Sequence, residues 1–152
     1  MLPIIVSEKE NAKNWVKKAI SFYEATGKEI SLAEFANPRG QFVSNSLYVF
    51  ALDLNGVMLA HPVNEKFAGK NFLEVKDSDG KSFIREVVEC AAKEGGGFVD
   101  YKWCEPVSKG ELPKTLYFER ADGMIVCSGF YGSRDEAPSD FWEYLQYVGT
   151  FG

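Results

Sequence analysis

Apolar positions in the first part of the chain repeat at helical spacing. Between residues 11 and 25 they recur three, four, seven and eight positions apart, and Gly27 follows the last of them. This spacing predicts an amphipathic helix that ends at Gly27. Ser31 and Glu34 form a capping-box pattern, which predicts that a second, short helix begins there. The apolar positions of the long helix are Ala12, Trp15, Val16, Ala19, Ile20 and Tyr23.

From Leu47 onward the pattern changes to that of β-strands. The run from Leu47 to Asp53 is rich in residues that favour strands, and Asn55-Gly56 after it is a strong hairpin signal. Strands joined by tight turns are antiparallel neighbours, so the pattern predicts an antiparallel sheet. The five predicted strands are residues 47–53, 57–60, 98–104, 112–120 and 124–131.

Helical and irregular segments separate and follow these strands. Residues 61–79 are polar and punctuated by glycine and proline, which is typical of a functional loop laid over a sheet. Apolar spacing predicts another helix at residues 81–93, and a terminal helix at 139–148 with Ser139-Asp140 as its N-cap. The order of elements predicts an α+β fold: a five-stranded antiparallel sheet with a long N-terminal helix and helices packed against one face.

Composition excludes several classes of function. A length of 152 residues fits one domain, and a net charge of −5 without a Lys/Arg cluster argues against nucleic-acid binding. The three cysteines show no C-x-x-C spacing, so no zinc, thioredoxin or haem motif is present. No apolar run reaches the length of a membrane span, and the first residues lack the features of a signal peptide.

An ordered set of short motifs resembles the single-Cache family of ligand-sensing domains, which have a PAS-like fold. The resemblance covers residues 10–131 and implies a sensor of the signal-transduction or chemotaxis type, whose ligand sits between the concave sheet and the long loop. Ligands of such domains are small organic acids, amines or amino acids. The family implies a periplasmic or extracytoplasmic location, whereas the lack of a signal or anchor in this chain leaves a cytoplasmic one open. The motifs are Asn37-Pro-Arg-Gly-Gln-Phe42, Leu47-Tyr-Val-Phe-Ala-Leu-Asp-Leu-Asn-Gly56, Leu59-Ala-His-Pro62, Gly69-Lys-Asn71, Asp77-Ser-Asp-Gly-Lys-Ser-Phe83, Gly97-Phe-Val-Asp-Tyr-Lys-Trp103, Pro106, Pro113-Lys114, Tyr117 and Gly129-Phe-Tyr131.

Several polar and aromatic side chains are candidates for the ligand site. Tyr101 and Trp103 are two positions apart in a strand and share a face, which suits either a pocket wall or a core face beneath a helix. Lys114 is either the partner of an anionic ligand or an exposed strand-end lysine. His61 either contacts a ligand or serves a turn. The six candidate ligand-binding residues are Tyr48, His61, Tyr101, Trp103, Lys114 and Tyr131.

No set of residues in the sequence suggests catalysis, a metal or a cofactor. A nucleophile–base–acid arrangement is absent, and Asp77-Ser-Asp79-Gly80 lacks the further oxygen ligands of a calcium loop, which favours an Asx turn before a helix. The sequence therefore predicts a non-catalytic sensor for a small, anionic metabolite. The alternative is an interaction or scaffold protein that keeps the fold, has a filled pocket and dimerises through its C-terminal helix.

Residues 132–152 extend beyond the family pattern, which leaves 1–131 as the sensor domain. Their apolar side chains require burial, either on the domain near Trp15 and Ala19 or on a second chain. A homodimer is the preferred alternative of the two, because the ordinary family domain is complete by Tyr131.

Overall fold

Within residues 7–132, which the computed structural model of the chain describes, six antiparallel strands form one sheet. Five of them lie in the order β1-β2-β6-β5-β4, and β3 pairs with β2. The predicted α+β class is confirmed, with one additional two-residue strand, β1. The strands are β1 (Val43–Ser44), β2 (Leu47–Asp53), β3 (Met58–Ala60), β4 (Gly96–Cys104), β5 (Glu111–Ala121) and β6 (Met124–Tyr131).

Three helices accompany the sheet in this part of the chain: α1 (Glu8–Thr26), α2 (Lys28–Ala36) and α3 (Phe83–Glu94). The Ser7 hydroxyl caps α1 by accepting a hydrogen bond from the Glu10 N–H at 3.1 Å, so the helix starts earlier than predicted. The prediction that Ser31 caps α2 is wrong. Its hydroxyl lies inside the helix and donates to the Gly27 carbonyl at 2.8 Å.

The helices cover both faces of the sheet, which corrects the expectation that they pack against one face. In β2, Tyr48, Phe50 and Leu52 belong to a core shared with α3, whereas Val49 and Ala51 belong to a core shared with α1 and α2. Because both faces are covered, strand β2 is an almost continuous apolar run and not an alternating one. The α3 face carries the cavity described below.

The segment from His61 to Ser82, here called the covering loop, crosses the α3 face of the sheet. It contains a 3₁₀ turn at Glu65–Phe67 and is tied to the β2–β3 hairpin at Gly56. Gly56 has a φ of 87°, and a Cβ there would lie 2.8 Å from the Leu73 side chain, so only glycine lets the loop approach this closely. The predicted terminal helix at 139–148 lies outside the described residues.

No helix between residues 7 and 132 is both long and apolar enough to cross a membrane.

Candidate functional site

A small cavity lies between the sheet and the covering loop. Its volume is about 10 Å³, which is space for about one water molecule. Aromatic rings form most of its wall, and a single lysine projects among them. The lining residues are Tyr48, Phe50, Met58, His61, Phe67, Phe72, Phe83, Ile84, Tyr101, Trp103 and Lys114.

Lys114 places a buried ammonium group at the centre of this site, since the residue is only 2% exposed. Its Nζ donates a hydrogen bond to the Tyr48 hydroxyl at 3.0 Å. The same atom lies 4.4 Å from the ring centre of Tyr48, 5.0 Å from that of Tyr131 and 5.4 Å from that of Phe50. No carboxylate among residues 7–132 pairs with it. Cation–π contacts and one neutral hydroxyl only partly replace the hydration of an ammonium ion.

A directed chain of hydrogen bonds leads from Lys114 to the end of β4. Tyr131 donates its hydroxyl hydrogen to the Cys104 carbonyl at 3.0 Å, and its oxygen lies 3.1 Å from the Tyr48 hydroxyl. An ammonium can only donate, and the Tyr131 hydrogen is already committed, so Tyr48 must donate to Tyr131. Tyr131 thus supports the site from behind, by fixing the hydroxyl that receives Lys114.

His61 contributes a neutral imidazole to the same cavity. Its Nδ1 accepts the backbone N–H groups of Val63 and Asn64, both at 3.2 Å, which places the ring hydrogen on Nε2. Burial, with a smaller contribution from the nearby Lys114 ammonium, lowers the pKa of His61 from 6.5 to about 3. The Nε2–H makes no hydrogen bond to a residue in the described part of the chain. It is therefore a donor available to a ligand at neutral pH.

Tyr101 and Trp103 lie on the cavity face of β4, as their spacing predicts. Tyr101 stacks on Phe83 with 4.0 Å between ring centres, and its ring centre is 6.2 Å from that of Trp103. Burial raises the pKa of Tyr101 well above its ordinary value, so its hydroxyl stays protonated. Within residues 7–132 neither the Tyr101 hydroxyl nor the Trp103 indole N–H has a hydrogen-bond partner. Both remain potential donors to a bound molecule.

Asp77 is one of the residues that fasten the covering loop to the edge strand β4. Asp77 Oδ1 accepts the backbone N–H groups of Asp79 and Lys81 at 3.0 and 2.9 Å, which confirms the predicted Asx turn. Asp77 Oδ2 accepts the N–H of Lys102 in β4 at 3.1 Å. Burial alone would raise the pKa of Asp77, but these backbone hydrogen bonds and Lys81 outweigh it, so the pKa is lowered. The ionised carboxylate joins the loop to the sheet.

We expect Asp77→Ala to release the loop from β4. Hydrogen bonds to a charged group contribute about 1.5–3 kcal/mol, so the Lys102 amide should exchange its hydrogen with solvent about tenfold faster or more. Hydrogen exchange followed by NMR measures this directly. Asp79→Ala is the matched control, because the Asp79 carboxylate contacts the Lys102 ammonium and not its backbone. Unchanged protection of the Lys102 amide in Asp77→Ala would show that another contact holds the loop.

The structure brings five of the six predicted site residues to the cavity wall, and Tyr131 directly behind it. Register explains part of this grouping, because Tyr101, Lys114 and Tyr131 stand side by side on adjacent strands. Sequence reasoning missed the apolar part of the wall. Phe50 could have been found, since it lies two positions after Tyr48 in the same strand, but no local pattern identifies the loop residues. The missed residues are Phe50, Met58, Phe67, Phe72, Phe83 and Ile84.

No group of metal-ligating side chains occurs among the described residues. The three cysteines are free thiols, of which only Cys127 is fully buried. The site is thus a small aromatic cavity with one cation and several neutral donors. Small-molecule sites in proteins are typically apolar and aromatic with a few convergent polar groups, and this cavity has that character.

Comparison with known proteins identifies the family to which this chain belongs. The chain is 29% identical over 107 residues to the methyl-accepting chemotaxis protein McpP of Pseudomonas putida, covering 69% of this chain and 19% of that protein. It is 38% identical over 71 residues to the sensor histidine kinase MctS of Rhizobium johnstonii, covering 47% of this chain and 15% of that protein. The chain therefore spans less than a fifth of the length of either relative.

A solved structure described as "Structural basis for carboxylic acid recognition by a Cache chemosensory domain" is also similar. It shares 28% sequence identity and a TM-score of 0.70, over 82% of this chain and 93% of the solved one. The Single Cache domain 2 family matches residues 7–133, and the chain belongs to that family. The protein is a Cache sensory domain, related to those of chemotaxis receptors and histidine kinases.

Proposed function

We propose that this domain is a non-catalytic sensor for a small monocarboxylate. The observation that carries the proposal is the Lys114 ammonium, which is buried without a carboxylate partner in the described part of the chain. A bound carboxylate would supply the missing negative charge, and a charge-assisted hydrogen bond of this kind is among the stronger polar contacts in proteins. The similar solved domain, whose description names carboxylic acid recognition, supports the same ligand class.

The polarity of the cavity favours an acceptor over a cation. Lys114, His61, Tyr101 and Trp103 each offer a hydrogen to a ligand, and a carboxylate has two oxygens that only accept. An amine ligand would instead meet the Lys114 ammonium, which already occupies the aromatic surroundings that suit a cation. Two ammonium groups in contact within a buried site repel each other strongly. Of the ligand classes that the family resemblance implies, acids therefore fit and simple amines do not.

The size and walls of the cavity favour a short carbon chain. A volume of about 10 Å³ admits no metabolite without movement of the wall, so the covering loop must shift outward when a ligand enters. The rest of the wall is apolar and includes Phe50, Met58 and Ile84. A second carboxylate placed there would be desolvated without a partner. A monocarboxylate of a few carbons meets both conditions.

The geometry of His61 supports binding and not chemistry. Its Nδ1 is occupied by two backbone N–H groups, and its pKa of about 3 leaves it a very weak base. A general base works best when its pKa is near the operating pH. His61 is better suited to donate one fixed hydrogen bond through Nε2. We therefore assign the site to recognition.

The same proposal extends to the whole protein. The relatives include a methyl-accepting chemotaxis protein and a sensor histidine kinase, which supports the proposal that ligand binding here feeds a signalling output. A periplasmic or extracytoplasmic location follows from the family resemblance and is part of the proposal. The small cavity also favours one rival function, a scaffold whose pocket is filled by its own side chains.

A thermal-shift screen separates these functions. We expect acetate or propionate to raise the unfolding temperature, because a ligand at one hundred times its Kd stabilises by about 2.7 kcal/mol. Propylamine and succinate are the matched controls, of opposite charge and of doubled charge, and should have no effect. The buffer must contain no carboxylate. A shift with propylamine alone would contradict the anion assignment, and no shift with any compound would favour the filled-pocket scaffold.

A further inference from the structure

A second, larger depression lies on the opposite face of the molecule, along α1. This feature, here called the α1 groove, has a volume of about 790 Å³ and is open to solvent. Trp15, Lys18 and Phe22 lie three and four positions apart and form one side of it, and Phe42 lies at its base. The Phe42 ring makes edge contacts with the rings of Trp15 and Phe22, at 6.4 and 5.5 Å between ring centres. The groove is about two helical turns long and combines these three aromatic rings with the polar side chains of Asn14, Lys17, Lys18, Ser21 and Gln41.

The described chain ends close to this groove. The Gly132 N–H donates to the Pro113 carbonyl at 2.7 Å, which fixes the point where the chain leaves the sheet. Phe130 and Tyr131 line a hollow together with residues at the beginning of α1, namely Glu8 and Asn11. The groove begins at Asn14, about 5 Å further along the helix axis. Residues 133–140 can span up to about 27 Å, so the following segment reaches the groove easily.

The sequence of that segment matches the groove in both polarity and charge. Phe141, Tyr144, Leu145 and Val148 have the spacing of one apolar helix face, and the distance from 141 to 148 is again about two turns. Four acidic residues lie in or just before it, against one arginine. The acidic residues are Asp135, Glu136, Asp140 and Glu143.

The groove offers a cation for these acidic side chains. Lys18 is exposed and makes no hydrogen bond or ion pair with a residue in the range 7–132. Its neighbour Lys17 differs, because its ammonium is 2.7 Å from the Glu119 carboxylate. Lys18 therefore remains available to whatever covers the groove.

We propose that residues 139–148 dock as an amphipathic helix in the α1 groove of their own chain, with Lys18 paired to an acidic side chain of the segment. A short linker gives the segment an effective concentration on the order of millimolar at the groove, which a second copy must exceed to compete. The α1 groove lies on the sheet face opposite the ligand cavity. Docking of the segment there therefore does not depend on the proposed ligand.

Carbodiimide cross-linking of the full chain, with a mixture of ¹⁴N-labelled and ¹⁵N-labelled protein, tests this proposal. The reagent joins a lysine to a carboxylate in direct contact, and mass spectrometry of the linked peptides reports whether both came from one chain. We expect links between Lys18 and the acidic residues of the segment that carry a single isotope. Mixed-isotope links would assign the groove to a second copy, and an absence of Lys18 links would assign it to neither; both results overturn the proposal.

A pair of variants separates docking from mere proximity. Leu145→Asp places a charge on the apolar face and should reduce the Lys18 links by about tenfold, since burying such a side chain is no longer favourable. Thr150→Asp adds the same charge beyond the segment and should leave the links unchanged. Persistence of the links in Leu145→Asp would show that the tether alone produces them, and the proposal would be wrong.

Discussion

Replacing Lys114 with methionine should weaken ligand binding and at the same time stabilise the ligand-free domain. Methionine keeps the length of the side chain and removes the ammonium. Loss of the charge-assisted hydrogen bond should weaken propionate binding by about 1.5–3 kcal/mol, or roughly 10- to 100-fold in Kd. The opposite effect on stability follows because an ammonium that is 2% exposed, with no carboxylate partner in the described part of the chain, is costly to bury.

The size of the stabilisation expected in Lys114→Met depends on the aromatic rings around the ammonium. Replacing buried charged groups with apolar groups of similar volume can stabilise a protein by about 1–4 kcal/mol. The rings of Tyr48, Phe50 and Tyr131 stabilise the Lys114 ammonium by cation–π contacts, so the gain should be at the lower end of that range. A gain of this size raises the unfolding temperature by a few degrees. A residue that weakens its own fold and strengthens binding belongs to a functional site.

Calorimetry with propionate and thermal unfolding without it measure the two effects. Lys93→Met is the control, because it removes the same charge from an exposed position on α3. It should leave propionate binding unchanged and should not stabilise the domain. Unaltered propionate affinity in Lys114→Met would remove the lysine from the site. A less stable variant would indicate that the aromatic rings alone satisfy the ammonium and that its role is structural.

Local sequence patterns predicted the helices and strands well, because most of these elements are locally specified. Helix α1 combines apolar periodicity with Gly27 at its end, and the hairpin after β2 is specified by Asn55-Gly56. The prediction that helices cover only one face of the sheet was wrong, although the sequence of one strand indicated otherwise. Strand β6 is buried at nearly every position, and a run without alternation indicates a strand covered on both faces.

Sequence patterns predicted only part of the ligand site, because much of the site depends on long-range packing. Two-residue spacing placed Tyr101 and Trp103 on one face, and the resemblance to a known family supplied His61 and Lys114. Which strands are neighbours is a long-range property: β2 and β6 pair across more than seventy residues, and this pairing is what brings Tyr48 to Tyr131. The full burial of Lys114 follows from that packing and from the covering loop. No pattern around Pro113-Lys114 distinguishes it from an exposed lysine.

The second large effect expected is a loss of stability in acid that depends on His61. The folded-state pKa of about 3 lies below the unfolded value of 6.5, with burial as the main cause and Lys114 as the second. Below pH 6.5 the unfolded chain therefore binds a proton that the folded domain does not. The contribution of His61 to stability is complete above pH 6.5 and declines as the pH falls toward 3. Between pH 7 and pH 4 the decline amounts to about 3 kcal/mol.

His61→Asn isolates this contribution. Asparagine places an oxygen near the position of Nδ1, where it can still accept the Val63 and Asn64 N–H groups, but it does not titrate. Chemical denaturation at pH 7 and pH 4 should show that the wild type loses about 3 kcal/mol more than this variant, because both share every other titrating group. His61→Gln also does not titrate but lacks the acceptor near Nδ1. It should therefore be less stable than His61→Asn by a similar amount at both pH values.

The titration itself can be followed without any variant. His61 is the only histidine of the sequence, so its ring proton gives one assignable NMR signal in the folded protein. We expect the chemical shift of that signal to stay constant from pH 8 to pH 5, because the imidazole remains neutral throughout. A midpoint near pH 6.5 would show that the ring is solvated and that Nε2 is not a fixed donor. In Lys114→Met the midpoint should move upward, since the ammonium that opposes protonation of His61 is gone.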